Sequence, residues 1–364
     1  MDEKKPFAAR RLGTIMAPDP TRSEESAGAI NPAVARAPDG GLYLLPRLIA
    51  ARNVSRIGLA RVLFDGHDLP RGVERRAIVL APREPYECGP DGHSGGCEDP
   101  RVTFVSPLAC YVMAYVALGA HGARVALAVS DDLLVWRHLG PVHFDSWPDG
   151  GADLDLDLDG YLNKGGALFP EVVRGPDERP SLALLHRPMY HDGKRPRGVA
   201  DPRQSIWISY CALDDARRDL AALTRPRHHH ELIAPRYPWE DLWIGGGAPP
   251  VLTPHGWLVI YHGVQGRPAR SAQDRKPVVY HAGVLILDRD DPRRVLYRLP
   301  WPLLSPDPAT EIDPRGTAVD AVFPTGIDAR ALAAGHLTLY YGISDTRIGA
   351  AVVAIPDTLP PPDA

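Results

Sequence analysis

Cysteine is scarce: Cys88, Cys97, Cys110 and Cys211 are the only four in a chain of 364 residues. So few thiols over this length argue against a disulfide-stapled secreted scaffold, and free thiols in a reducing cytoplasm are the expectation. Cys88 and Cys97 flank a loop holding His93, but a zinc or disulfide reading of that trio is set aside in favour of free thiols. Long apolar runs are also missing. The opening MDEKKPFAARRLG carries charges and no apolar core, so neither a secretory signal nor a membrane span is expected there. Charge of one sign is not in excess either. A formal net charge of −4 gives no pull towards nucleic acid or an anionic membrane. The one basic, His-rich island, RPRHHH at 225–230, reads as a solvated loop, because three adjacent histidines rarely converge on one ion; no metal is expected. Helix-period segments are few and short, IDARALAAG at 327–335 being the clearest.

What the chain does have is 39 prolines, 34 glycines and many short β-branched and aromatic runs bounded by turn residues, such as CYVMAYVAL, GWLVIYHGV and HLTLYYGIS. This predicts an all-β chain. Five segments share one design, a short apolar strand ending in an acidic turn: IGLARVLFDG (57–66), VALAVSDD (125–132), IWISYCALDD (206–215), AGVLILDRDD (282–291) and GAAVVAIPD (349–357). Their turn aspartates fall at 65, 131, 214, 290 and 357. A period of that size suits a four-stranded blade with generous loops, so a five-bladed β-propeller is predicted, with a pair of β-sandwiches as the alternative. Residues 31–364 would form one catalytic domain. Residues 1–30 would be an N-terminal arm that could reach a neighbouring copy in a homo-oligomer. In a propeller, ligands bind where the innermost strands converge, so site residues should come from several distant blades.

GGCEDPRVTF (95–104) sets two adjacent carboxylates, Glu98 and Asp99, where a turn becomes a strand. Pro100 favours an extended residue before it, and strand alternation would send the two acids to opposite faces, so only one should face a pocket. Lys164, in YLNKGGALFPEVV, precedes two glycines that let backbone approach a ligand, and a lysine offers a compact charge suited to phosphate. The G-x-x-x-x-G-K spacing of a nucleotide phosphate loop is absent. Arg187 ends the apolar strand ALLHRPMY, where its guanidinium could grip an oxyanion through paired hydrogen bonds. Tyr261 and His262 close the strand of GWLVIYHGV, and Asp345 closes that of LYYGISD.

In order along the chain, RLGTIMAPD, INPAV, SRIGLARVLFDG, EDPRVTF, ALAVSDDLLVW, LFPEVV, LLHRP, GGGAPPVL, GWLVIYHGV, VLILDRDDP, AVFPTGI and LYYGISD resemble glycoside hydrolase family 130, the β-mannoside phosphorylases and mannosidases built on a five-bladed propeller. By that resemblance Asp99 matches the single catalytic acid. Asn31, Arg47, Tyr261, His262 and Asp345 sit in blocks that line the mannose site, and Lys164 and Arg187 match positions that hold phosphate. By the same resemblance Arg124 is a further phosphate candidate. Where the family has Lys-Asp-Ala, this chain has Lys164-Gly165-Gly166.

The resemblance implies an inverting phosphorylase. A β-mannoside and inorganic phosphate, the co-substrate, would give α-mannose 1-phosphate and a shortened acceptor, with no other cofactor. Inverting hydrolysis needs one acid and one base, whereas phosphate is already anionic and needs only a cationic clamp, so a single acid suffices. Its proton could pass through a mannose hydroxyl. Asp99 is expected to have a raised pKa through burial away from cations, and Arg101 is expected not to pair with it. The alternatives are a β-mannosidase of the same family, for which Glu171 and Glu240 are the acids to consider as base, and a non-catalytic sugar-binding propeller. Acceptor recognition would fall to the loops at 84–96 and 146–161. The alternating Asp and Leu of the second read as an edge strand or acidic loop rather than a calcium site.

Overall fold

The computed structural model describes residues 6–91, 94–145, 157–190, 194–266, 278–312 and 319–361. His93 and residues 146–156 of the Asp-Leu segment lie outside them. The described chain is all-β. Its strands follow one another in antiparallel runs because short β-branched stretches alternate with Gly, Pro and Asp turns.

The first run is Gly28–Arg36, Leu42–Ile49, Ser55–Phe64 and Pro70–Leu80. The second is Gly96–Val105, Cys110–Gly119, Gly122–Ser130 and Arg137–Pro141. The third is Leu162–Leu168, Pro180–Met189, Ile206–Ala212 and Arg227–Ile233. In the fourth, Trp243–Gly245 and Val251–Thr253 both pair with Gly256–Gln265, followed by Val279–Leu287 and Val295–Arg298. The fifth is Asp320–Asp328, His336–Ile343 and Arg347–Ala354. Its fourth member comes from the other end of the chain: Ala8–Met16 pairs antiparallel with Arg347–Ala354, from Ala8 opposite Ala354 to Met16 opposite Ile348. Nine residues of the segment 1–30 read as an arm, Ala8–Met16, therefore belong to this sheet. Short parallel bridges link the first run to the second at Ser55 and Gly96, and the fourth to the fifth at Val279 and Asp320.

Every segment of the acidic-turn repeat is the third strand of its run. The apolar faces between runs form separate clusters. Val105, Val112 and Val125 meet Leu182, Leu184 and Trp207; Ala183 and Ile208 meet Trp257 and Val259; Ile260 and Val284 meet Leu337 and Leu339; Leu45 and Ile57 meet Met113 and Tyr115. A fifth cluster packs the last run on the first, with Ile15, Met16, Tyr340 and Ile348 against Ala29, Val34, Leu44 and Leu48.

Two local expectations are corrected. Residues 227–230 of the His-rich island lie in the strand Arg227–Ile233, whose register against Ile206–Ala212 fixes them. His228 faces Asp177 and His229 faces Ser209 and the Asp145 carbonyl, so these two rings point to different partners. The stretch 327–335 is the end of a strand followed by a single 3-10 turn, Leu332–Ala334, closed by Gly335 at φ 78. All four cysteines are free. Among the described residues no helix is long and apolar enough to cross a membrane.

Candidate active site

The first strand of four runs breaks register at the same place. The shifts fall between Ile30 and Ala33, Glu98 and Arg101, Lys164 and Ala167, and Pro324 and Gly326. In the fourth run the first strand is interrupted outright between Gly245 and Val251. Pro32, Pro100 and Pro324 lack the N–H that a ladder needs, and Gly165 takes φ 70, so each strand bulges there. A bulge re-aims side chains. Asn31 and Asp99, at φ 46 and 45, occupy the left-handed region that Asn and Asp tolerate best among residues with a Cβ. The expectation of an extended Asp99 on the opposite face from Glu98 is thereby corrected: one guanidinium reaches both acids.

The bulged residues converge on a cavity of about 220 Å³ lined by Asn31, Arg47, Asp99, Lys164, Arg187 and Asp345, together with Arg101, His262, Tyr280 and Phe323. All five runs contribute. Asn31 Nδ2 donates to Asp99 Oδ1 at 2.8 Å, and Arg47 Nη1 donates to the same oxygen at 3.2 Å. Arg47 Nη2 reaches Glu98 Oε1 at 2.7 Å while its Nε donates to Ser55 Oγ at 2.9 Å. Lys164 Nζ lies 3.3 Å from Glu98 Oε2. Arg187 donates through Nη1 to Gln204 Oε1, and its backbone N–H is held by Asn163 Oδ1 at 3.1 Å. Asn163 also donates to Nδ1 of the buried His186 at 3.0 Å, which fixes the strand end carrying Arg187.

Arg101, 2 % exposed, donates from Nη1 to the Asp99 carbonyl at 2.5 Å and from Nε to the Gly247 carbonyl at 3.1 Å, with Phe323 under its guanidinium. It thus contacts the backbone of Asp99 and not its carboxyl. Three buried nitrogens of the lining residues have no hydrogen-bond partner among the described residues: Arg101 Nη2, Arg187 Nε and His262 Nδ1. The two arginine nitrogens are donors, and a buried donor left unpaired is costly; Asn31 Oδ1, an acceptor of the same lining, is unpaired as well, so the lining residues hold unused hydrogen-bonding capacity of both kinds.

The electrostatics overturn one expectation. Burial pushes Asp99 up, but Arg47, Arg101 and Lys164 together outweigh it, and with the Asn31 hydrogen bond they hold the carboxyl at about 2. The acid read as raised is depressed because Arg47, assigned by resemblance to the sugar, lies directly on it. Asp345, at φ 49 in the turn after His336–Ile343, is raised by the surrounding protein and then by Asp99. Burial lowers Arg101 to about 10 and lowers Arg187 as well, and it pushes His262 well below its ordinary value, so that the imidazole is neutral.

Other assignments are not brought to the cavity. Tyr261 is fully buried in the core, its hydroxyl donating to Glu240 Oε1 at 2.5 Å and accepting from Arg298 Nε at 3.1 Å. Strand alternation turns it away from the face that His262 presents. Arg124 stands apart, 3.6 Å from Asp159. Of the two acids considered as a hydrolytic base, Glu171 is exposed and Glu240 is locked against Tyr261 and Arg298. Glu98, Arg101 and Tyr280 carried no assignment from the sequence. The signal that could have found the first two is the polar residue followed by proline in INPAV and EDPRV, with glycines in its place in KGGAL, which marks the bulged strand in successive runs.

A family model described as beta-1,4-mannooligosaccharide phosphorylase, of glycoside hydrolase family 130, matches residues 3–359. The chain is 31% identical over 304 residues to the beta-1,2-mannobiose phosphorylase of Thermoanaerobacter sp. (strain X514), covering 82% of this chain and 77% of that protein. It is 30% identical over 267 residues to the 1,2-beta-oligomannan phosphorylase of the same organism, covering 72% and 69%. Among solved structures, the beta-1,2-mannobiose phosphorylase from Listeria innocua, in complex with beta-1,2-mannobiose, matches with a TM-score of 0.69 at 21% identity over 96% of this chain and 97% of that one, a likeness of fold.

Proposed function

The chain belongs to glycoside hydrolase family 130, and we propose that it is a five-bladed β-propeller whose axis carries an inverting β-mannoside phosphorylase site. The five antiparallel runs are the blades, and the catalytic domain joins residues 31–364 to the strand Ala8–Met16, which completes the last blade, and to residues 28–30, which open the first. The apolar cluster between the last run and the first supports closure of the ring. Four unpaired cysteines suit a cytoplasmic setting.

The observation that carries the reading is the meeting of Asp99 with Lys164, Arg101 and Arg187 in one sugar-sized cavity, with unpaired N–H groups on both arginines. Such a clamp suits a tetrahedral dianion. Phosphate gripped by Lys164 and Arg187, with Arg101 behind it, would face the anomeric carbon of a mannose held by Asn31, Arg47, His262 and Asp345. Fixing the nucleophile in line contributes up to about 7–11 kcal/mol in ideal cases, and preorganised cations stabilise the charge that develops. As the phosphate oxygen bonds to that carbon, the glycosidic bond breaks on the opposite face. The departing oxygen takes the proton of Asp99, directly or through a sugar hydroxyl. α-Mannose 1-phosphate and a shortened acceptor leave.

One observation favours a second reading. Asp345 also faces the cavity, and a carboxylate there could activate water as a β-mannosidase would require. Incubation with β-1,2- and β-1,4-manno-oligosaccharides, with and without phosphate, separates the readings. Mannose 1-phosphate formed only with phosphate supports the phosphorylase. Free mannose at the same rate in both supports the hydrolase. Binding without turnover supports a sugar-binding protein.

A further inference from the structure

Glu98 neighbours the acid in sequence, is only 2 % exposed and does not itself line the cavity, yet it holds two cations that do. Its Oε1 accepts from Arg47 Nη2 at 2.7 Å and its Oε2 from Lys164 Nζ at 3.3 Å. The same Arg47 sends its other terminal nitrogen to Asp99 at 3.2 Å. One guanidinium is therefore shared between two carboxylates, and one ammonium already has a counter-ion before any ligand is considered.

We propose that Glu98 is a positioning residue with two opposed effects: it draws Arg47 away from Asp99, easing protonation of the acid, and it competes with phosphate for Lys164. The inference rests on the phosphorylase reading. A cation divided between two anions stabilises each less than a cation devoted to one, so removing the Glu98 charge leaves Arg47 wholly to Asp99. The carboxyl then gives up its proton more readily and is harder to load. On the other side, an ammonium released from a buried carboxylate offers its full charge to phosphate. The remaining groups facing Asp99 are Arg101 from its own strand, Lys164, Arg187, His262, Tyr280 and Asp345 from the others, and the neutral amide of Asn31. All of them are retained when Glu98 alone is changed.

The variant Glu98→Gln is nearly isosteric and keeps a hydrogen-bonding oxygen. Phosphate affinity, measured by calorimetry on the full chain without sugar, is expected to tighten roughly tenfold. At neutral pH and saturating phosphate, kcat is expected to fall roughly tenfold, with the alkaline limb of its pH profile moved about one unit towards acid, so that the deficit shrinks as pH falls. A merely structural Glu98 would weaken phosphate binding and turnover together at every pH, and that result overturns the proposal. If thermal melting shows that the Gln variant does not fold, Glu98→Asp carries the test. It keeps the negative charge but draws it back by one methylene from both Arg47 and Lys164, so tighter phosphate binding supports the proposal, and weaker phosphate binding overturns it. A wild-type protein that binds no phosphate and releases free mannose overturns the underlying reading instead.

Discussion

In the proposed reaction Asp99 would carry a proton to a departing sugar oxygen, yet burial, which favours the neutral form, loses to Arg47, Arg101 and Lys164, and the carboxyl sits at about 2. Among the protein's own groups, the guanidinium or ammonium charges of Arg47, Arg101, Lys164 and Arg187 face the carboxylates of Glu98, Asp99 and Asp345, a small positive excess. A phosphate dianion reverses that sign. Binding a dianion should therefore raise the Asp99 pKa and draw a proton from solution at any pH between the depressed value and the raised one. Sulfate tests this cleanly because it does not titrate near neutrality. Calorimetry in two buffers of different ionisation enthalpy should show proton uptake by the wild type and none by Asp99→Asn, while uptake by both would place the proton elsewhere. The Asn variant should also lose about 10²–10⁴-fold in kcat, the usual worth of a general acid, while still binding sugar. The place of Asp99 at the cavity was legible through the resemblance of its EDPRVTF block, since by itself an acid before a proline at a strand start reads equally as a turn carboxylate. Its electrostatics were not. Arg47 lies on another strand, and no local pattern states that two acids share it.

The bulges explain why strict alternation misled. A period of two holds along a regular strand, but one extra residue at Asn31–Pro32 and at Asp99–Pro100 shifts which side chains face the cavity. Space for that geometry is set by glycine on the facing strand: a Cβ on Gly342 would lie 1.9 Å from Asn31 Oδ1. Gly342→Ala should push Asn31 off Asp99, lowering kcat/KM by about 10–10²-fold, since displacements near 1 Å are that damaging, at a stability cost of about 1–3 kcal/mol. Steady-state kinetics and denaturant melts read the two effects separately. Tyr261 illustrates a different kind of element, a buried glutamate in a short turn clasping a tyrosine of the second strand. Glu87 with Tyr115, Glu240 with Tyr261 and Glu311 with Tyr341 repeat it at 2.5, 2.5 and 2.7 Å. Tyr261→Phe should thus cost about 1–3 kcal/mol of stability by leaving Glu240 short of a donor, with KM for the sugar unchanged. A raised KM with normal melting would return Tyr261 to the substrate. The clasp was hidden in the sequence because its glutamate and tyrosine lie some twenty to thirty residues apart with nothing local to pair them.

The period of the molecule was readable because an acidic turn after an apolar strand is a local signature, repeated once in each run at the third strand. The closing pair was not readable. Ala8 meets Ala354 from the opposite end of the chain, and no turn connects them to announce the pairing. Long-range β pairing of this kind must overcome the largest loop-closure entropy in the fold, so it has to be rewarded by burial. The reward is visible in Ile15 and Met16, packed with Ala29, Leu44, Tyr340 and Ile348 where the last run meets the first, and in Phe7 against the cluster of the last two runs. At roughly 1.5–3 kcal/mol for each fully buried large apolar side chain, these three residues contribute several kcal/mol, a sizeable share of the typical 5–15 kcal/mol net stability of a domain. Removing residues 1–17 would also bare the backbone edge of Arg347–Ala354, a template for pairing between copies. The truncated protein should melt at least about 10 °C lower and aggregate on heating, and adding back a peptide of residues 6–17 should recover part of the loss. A truncated chain that melts as the full one does would mean that the first and last runs hold together without the strand that joins the two ends.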